Sequence, residues 1–337
     1  MESKKVLLEY VWLDGYKPEP TLRSKIKIID RYCSHVAEVP TWGFDGSSTQ
    51  QAQGSNSDCI LKPVRLYDSP FETDQIVLCE VFNADGTPHI SNTRNKIESI
   101  NQKEYWFGLE QEYTLMKNDR PLEWPEDVTM YPKEQGDYYC GVGASNIGSL
   151  GRKIMHEHTK NCLTAGVSIH GTNAEVMLGQ WEYQVFGRGA KKAADNAWMA
   201  RYILYRTAEK HNVDVNIEPK PIKGDWNGNG MHTNFSNEMM RSVGGEVYIK
   251  SLCDKFKPTH EQHIADYGSK NDERLTGLHE TQHIGKFSYG ISDRGASIRI
   301  PMALVQNNWK GYLEDRRPSG NADPYKVTNR ILITLES

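Results

Sequence analysis

In the stretch WFGLEQEYTL, residues 106–115, apolar and polar positions alternate with the period of an extended strand: Phe107, Leu109, Tyr113 and Leu115 share one face, and Trp106, Gly108, Glu110, Glu112 and Thr114 share the other. One face makes core. The other carries two carboxylates roughly 7 Å apart at the strand rise, which is either a solvated strand surface or a repulsive wall that water or a cation must relieve. Upstream, KKVLLEYVWLD, SKIKIIDRY, EVPTWGFDGSSTQQAQGSNSDCILKPVRLYD and QIVLCEVFNADG read as short β segments separated by turns, predicting a small sheet domain over residues 1–85. SNTRNKIESINQK then predicts a helix capped by Ser91 or Asn92, which opens a larger domain over 86–337. Within it, helical periodicity predicts helices at 148–166, 189–212 and 242–268, the last interrupted near Pro258. The fold class is α+β, with the larger domain built on an antiparallel sheet.

Acidic strand faces recur. In GTNAEVMLGQWEYQVFG, AEVML and WEYQV flank a short LGQ turn and predict a hairpin. A loop symmetric about the Leu178–Gly179 bond sets Glu175 directly opposite Glu182, whereas another register leaves an exposed hairpin. In KGDWNGNGMHTNFSN the glycines allow close backbone approach, and the following strand puts His232, Asn234 and Ser236 on one face. Further on, Ser297 and Arg299 share a strand face, as do Glu314 and Arg316, either as surface salt bridges or as a charged cleft.

Composition narrows the chemistry. The chain has 337 residues, room for about two domains, with 25% charged residues, a formal net charge of −4 and no Lys/Arg block. Nucleic acid and anionic membrane are therefore excluded as partners, and a small substrate is expected. Six scattered cysteines without C-x-x-C spacing indicate reduced thiols, and the N-terminus lacks a signal peptide, so the expected location is the cytoplasm. No apolar run reaches membrane-spanning length. Five glutamates (Glu110, Glu112, Glu175, Glu182, Glu314) and His232 form an oxygen-rich donor set suited to Mg²⁺ or Mn²⁺ rather than zinc. Arg294, Arg299 and Arg316 would supply fixed positive charge for a transferring phosphoryl group. Neither a Walker loop nor a G-x-G-x-x-G opening a helix is present, so a nucleotide would be held by metals, arginines and stacking.

In order along the chain, WGFDGSSTQQAQGSNSDCILKPV, WFGLEQEYTL, AGVSIHGTNAEVMLGQWEYQV, GNGMHTNFS, RLTGLHET, RGASIRIP and GYLEDRRPSGNADPY resemble the successive motifs of the type II, eukaryote-type glutamine synthetases. The resemblance runs from about residue 6 to residue 330. It implies a β-grasp N-terminal domain followed by a glutamine synthetase catalytic domain on a curved antiparallel sheet with flanking helices. The implied reaction is ATP-dependent ligation of ammonia to L-glutamate through γ-glutamyl phosphate. A ligase for a larger amine and a catalytically silent structural homologue are the alternatives, and the retention of Asp45, the RLTGLHET motif and every metal carboxylate speaks against both. The resemblance further implies a homo-oligomer, a decamer of two pentameric rings, with active sites between the N-terminal domain of one subunit and the catalytic domain of its neighbour.

By the same resemblance, Glu110, Glu112, Glu175, Glu182, His232 and Glu314 hold two or three Mg²⁺ or Mn²⁺ ions. Trp106, Asn234, Ser236, Arg294, Arg299 and Tyr312 surround ATP. Trp226, Gly228, His232, Arg274, Arg294 and Arg316 contact glutamate and the transferred phosphate. Asp45 takes a proton from ammonium, and Glu280 sits on a closing flap. The segment VFGRGAKKAADNAW departs from the eukaryotic pattern and reads as a bacterial or lower-eukaryotic branch of the type.

Overall fold

The computed structural model describes residues 5–97 and 104–337. The chain divides into two compact units, one ending at Ile97 and including Asn161–Val167, the other holding the remainder. In the first unit, β1 (Val6–Leu13), β2 (Leu22–Ile29), β3 (Trp42–Asp45), β4 (Asp58–Asp68) and β5 (Gln75–Asn83) form a sheet of order β2-β1-β5-β4-β3. β1 and β5 run parallel and the other pairs antiparallel. Alternation sends Leu8, Tyr10, Trp12, Leu61, Val77, Cys79 and Val81 into one core. Beyond β5 the expected helix does not form in its described part. Residues 93–97 are turns closed by i→i+3 bonds, Lys96 N to Thr93 O and Ile97 N to Arg94 O. Asn92 and Ser91 are instead tied to the small sheet, by Asn92 Nδ2 donating to Val81 O and by Gln51 Nε2 donating to Ser91 Oγ. The remainder of that expected helix, 98–103, lies outside the described residues.

The second unit is a nine-stranded sheet laid over helices. In chain order come β6 (Trp106–Lys117), β7 (Arg120–Pro121), α1 (Ala144–Ile147), α2 (Leu150–Thr164, whose residues from Asn161 on are grouped with the first unit), β8 (Ile169–Ala174), β9 (Gln180–Arg188), α3 (Ala190–Glu209) and β10 (Asp214–Asn216). They are followed by β11 (Met231–Ser236), α4 (Glu238–Ser242), α5 (Glu246–Phe256), α6 (His260–Asp266), β12 (Tyr289–Ile291), β13 (Ile298–Ile300), α7 (Met302–Gln306), β14 (Leu313–Asp315) and α8 (Pro324–Glu336). The strand order is β12-β13-β14-β11-β6-β9-β8, with β7 and β10 also on β6. Every pairing is antiparallel except β12 with β13. The break near Pro258 separates α5 from α6, as the chain pattern predicts.

One face of β6 is fully core: Phe107, Leu109, Tyr113 and Leu115 are buried. The polar Gln111 in that row is satisfied by a buried arginine from α3, Arg201 Nε donating to Gln111 Oε1 at 2.7 Å. Arg201 also donates to the carbonyls of Gly320 and Ala322 at 2.9 Å, so one guanidinium ties α3, β6 and the segment before α8 together. Asp323 caps α8 by accepting from Tyr325 N, with Pro324 in the first turn. Among the described residues no helix is long and apolar enough to cross a membrane.

The hairpin register differs from the symmetric expectation. Glu175 N donates to Gln180 O, which closes the loop one step earlier, with Gly179 at φ +88°. Asn173 rather than Glu175 therefore stands opposite Glu182, and β8 ends at Ala174. The register differs by two positions on the partner strand, so parity is kept and Glu175 and Glu182 remain on the same side.

Candidate active site

The polar faces of β6, β9, β11, β13 and β14 meet across the sheet. Cross-strand register sets His232 opposite Glu110, Glu182 opposite Glu112, and Arg299 opposite Glu314. Directly opposed residues have Cβ atoms about 5 Å apart, so the strand period alone gathers these side chains. They line a cavity of about 370 Å³ together with Glu175, Gly228, Arg274, Glu280, Arg294 and Arg316. Two triads within it have ligand atoms all inside 4.8 Å of one another: Glu110, His232 and Glu314, and Glu112, Glu175 and Glu182.

Electrostatics separates the triads. Glu314 accepts from Arg299 at 2.8 Å and from Arg316 at 2.6 Å, and Glu110 accepts from Asn234 at 2.7 Å. His232 Nδ1 lies 3.6 Å from Glu110, 3.9 Å from Glu112 and 4.0 Å from Glu314. Burial lowers the His232 pKa to about 4, leaving a neutral imidazole with a free lone pair at neutral pH. In the second triad the partners are amides and backbone. Gly230 N donates to Glu112, Asn173 and Val176 N to Glu175, and Gln184 to Glu182. Burial first, then the neighbouring carboxylates, raises Glu175 to about 8 and Glu182 to about 9. Two buried carboxylates that resist ionising beside further carboxylates mark a site that favours added positive charge. A divalent cation fits the oxygen and imidazole donors present.

Glycine is required at the approach to the site. A Cβ on Gly228 would lie 2.1 Å from Pro219 O and 2.8 Å from Arg274 Cγ. Arg274 itself is buried, donating to the carbonyls of Arg316, Arg317 and Pro318, and burial lowers its pKa to about 10.

Other expected residues sit elsewhere. Trp106 borders a separate open recess, with Arg188 and Arg241 at 4.6 and 4.1 Å from its ring centroid. Ser236 is buried and accepts from Arg241 at 3.0 Å. Tyr312 is partly exposed, and burial together with the charges of Glu110 and Glu314 raises its pKa. The Trp226 ring packs into core with Trp124 and Met177, so that side chain does not line the cavity. Asp45 belongs to the first unit, where it is exposed and accepts from Ser47 N, Ser47 Oγ and Ser48 Oγ, bonds that hold it below the usual carboxylate range. Sequence reading missed Tyr139, Asn173, Gln184, Lys220, Asn227, His279 and Thr281, all of which line the cavity. Gln184 was discoverable, lying two positions beyond Glu182 on the same strand face; the loop residues carry no periodic signal.

Comparison with known proteins gives the family. Residues 4–84 match the family model "Glutamine synthetase, beta-Grasp domain" and residues 91–243 match "Glutamine synthetase, catalytic domain". The chain is 52% identical over 338 residues to glutamine synthetase of Bradyrhizobium diazoefficiens, with 99% of this chain and 97% of that protein covered. It is 48% identical to glutamine synthetase of the fungus Emericella nidulans, over 98% of this chain and 92% of that one. A cryo-EM structure of Plasmodium falciparum glutamine synthetase superposes with a TM-score of 0.75 at 16% identity, covering 98% of this chain and 71% of that one, and shares the fold. Family models over both domains and end-to-end identity near one half lead to one conclusion: the chain belongs to the glutamine synthetase family of ligases.

Proposed function

We propose that this enzyme joins ammonia to L-glutamate at the expense of ATP, giving L-glutamine, ADP and phosphate, as part of nitrogen assimilation in the cytoplasm. The observation that carries the reading is the pair of ligand triads sharing one cavity with Arg274, Arg294, Arg299 and Arg316. A carboxylate is a poor acyl donor. Its γ-oxygen therefore attacks the γ-phosphorus of ATP, ADP departs, and the resulting acyl phosphate has a good leaving group. Arg299 and Arg316 spread the charge that develops on the transferred phosphoryl oxygens. Glu110, His232 and Glu314 would hold one divalent cation and Glu112, Glu175 and Glu182 another, two or three Mg²⁺ or Mn²⁺ ions supplying Lewis acidity and charge neutralisation when bound.

Asn234, Ser236, Tyr312 and Trp106 are assigned to ATP, and the Gly228 loop with Arg274 to glutamate. Trp226 supports that loop from the core rather than through contact. Asp45, kept anionic by its serine bonds, binds ammonium and accepts its proton; ammonia then attacks the γ-carbonyl carbon and phosphate leaves. Because Asp45 lies in the N-terminal domain, bounded near residue 85, we assign it to a neighbour's cavity within a decamer of two pentameric rings.

Phosphate release is to be measured with glutamate, ATP and Mg²⁺, first with ammonium and then with ethanolamine or polyamines. Ammonium should give phosphate and glutamine in equal amounts. Release only with a larger amine overturns the reading in favour of a different amine ligase, and no release with any amine points to a silent assembly.

A further inference from the structure

The segment Thr276–His283 brings Glu280 to the cavity, and it does so at a conformational cost. His279 and Glu280 have φ of +51° and +59°, a region that side-chain-bearing residues occupy only when their surroundings hold them there. Arg294 Nη2 holds one of them, 2.6 Å from Glu280 Oε2. The other is held by residues from two further loops. His279 Nε2 lies 3.0 Å from Asp225 Oδ1, and Gln135 Nε2 lies 3.4 Å from His279 Nδ1. The same Gln135 amide is 2.7 Å from Asn227 Oδ1 and 3.4 Å from Asp225 O. With its hydrogen on Nε2 the ring satisfies both neighbours, donating to the carboxylate and accepting from the amide at Nδ1. Asn227, His279 and Glu280 all line the cavity.

We infer that Gln135, Asp225 and His279 form a clasp that fastens the Glu280 loop to the Asp225–Gly228 loop, keeping water from the acyl phosphate. The inference rests on the ligase reading above. Gln135 and Asp225 are positioning residues: both are exposed, and both act through the loop they hold. With the clasp open, water adds to the γ-carbonyl carbon and the C–O bond to phosphate breaks. The protons of water pass to phosphate and solvent. Glutamate is regenerated and one ATP is consumed without product.

The test is the ratio of phosphate released to glutamine formed by the full-length enzyme, with glutamate, ATP and Mg²⁺ saturating and ammonium varied. Wild type should hold a ratio of one. Gln135→Leu and Asp225→Ala should raise it to about two or more at low ammonium, since less nucleophile then competes with water. Their thermal midpoints should remain within a few degrees of wild type, and Asp225→Glu should restore coupling. If both variants keep a ratio of one at every ammonium concentration while wild type makes glutamine, the clasp is wrong. If wild type makes no glutamine, the ligase reading fails and the clasp with it.

Discussion

The two candidate ligand triads lie in one cavity yet have different partners. Beside Glu110 and His232, Glu314 has protein countercharge in Arg299 and Arg316. Around Glu112, Glu175 and Glu182, no lysine or arginine forms an ion pair among the described residues; amides and backbone N–H groups are the donors. Burial raises the pKa of Glu110 in the first triad, where the Asn234 hydrogen bond and the charges of Arg316 and Arg299 oppose it. In the second, burial and the neighbouring carboxylates raise Glu175 to about 8 and Glu182 to about 9.

The largest effect expected is from Glu182→Ala, which takes away one ligand of the uncompensated triad. Turnover in the phosphate assay should fall at least about 100-fold, on the scale of removing a principal electrostatic stabiliser. An unchanged rate removes Glu182 from the ligand set. Next comes stability against pH. Folded-state values near 8 and 9 stand above the ordinary 4.5, so the stabilising contribution is full below about pH 4.5 and is lost as pH rises through 8 to 9. Added Mg²⁺ or Mn²⁺ should therefore raise the melting temperature more at pH 8 than at pH 5.5. Equal gains at both pH values would erase the contrast between the triads.

Arg316→Met probes the other triad by stripping Glu314 of one partner. A cost of about 3 kcal/mol is expected in metal-free urea unfolding, with part of it recovered when metal is added. A neutral result would mean that Arg299 alone balances Glu314. The smallest change is Asn234→Ala, which deletes the hydrogen bond that Asn234 Nδ2 donates to Glu110. It should cost about 1 kcal/mol of stability and weaken metal activation roughly tenfold, read from a metal titration of rate. No shift in the titration would reduce Asn234 to a packing residue.

Strand parity explains what could be read in advance. Glu110 with Glu112, His232 with Asn234, and Glu314 with Arg316 each sit two apart, and a period of two decides their face before any partner strand is known. Parity also saved Glu175, whose register was misplaced but whose side was not. Three features lay beyond it. The turns at 93–97 replace a helix because Asn92 and Ser91 bond into the small sheet, a tertiary contact that no local propensity records. The Trp226 ring, which the family resemblance sets against substrate, turns inward to Trp124. Gln135, Asp225 and His279 come from three loops, and loop geometry is set by closure rather than by period.

The cross-strand register also has a meaning in time. The second triad needs only β6 and the adjoining β8–β9 hairpin, whereas Glu314 joins the first from about 200 positions beyond Glu110, on a strand of three residues. Contacts that close shorter loops form sooner. On that ordering the carboxylates of the second triad would meet before the arginines of the late strands arrive to balance their neighbours. A cation present at that stage removes a barrier from assembly of the sheet itself, so divalent metal should quicken refolding as well as support turnover.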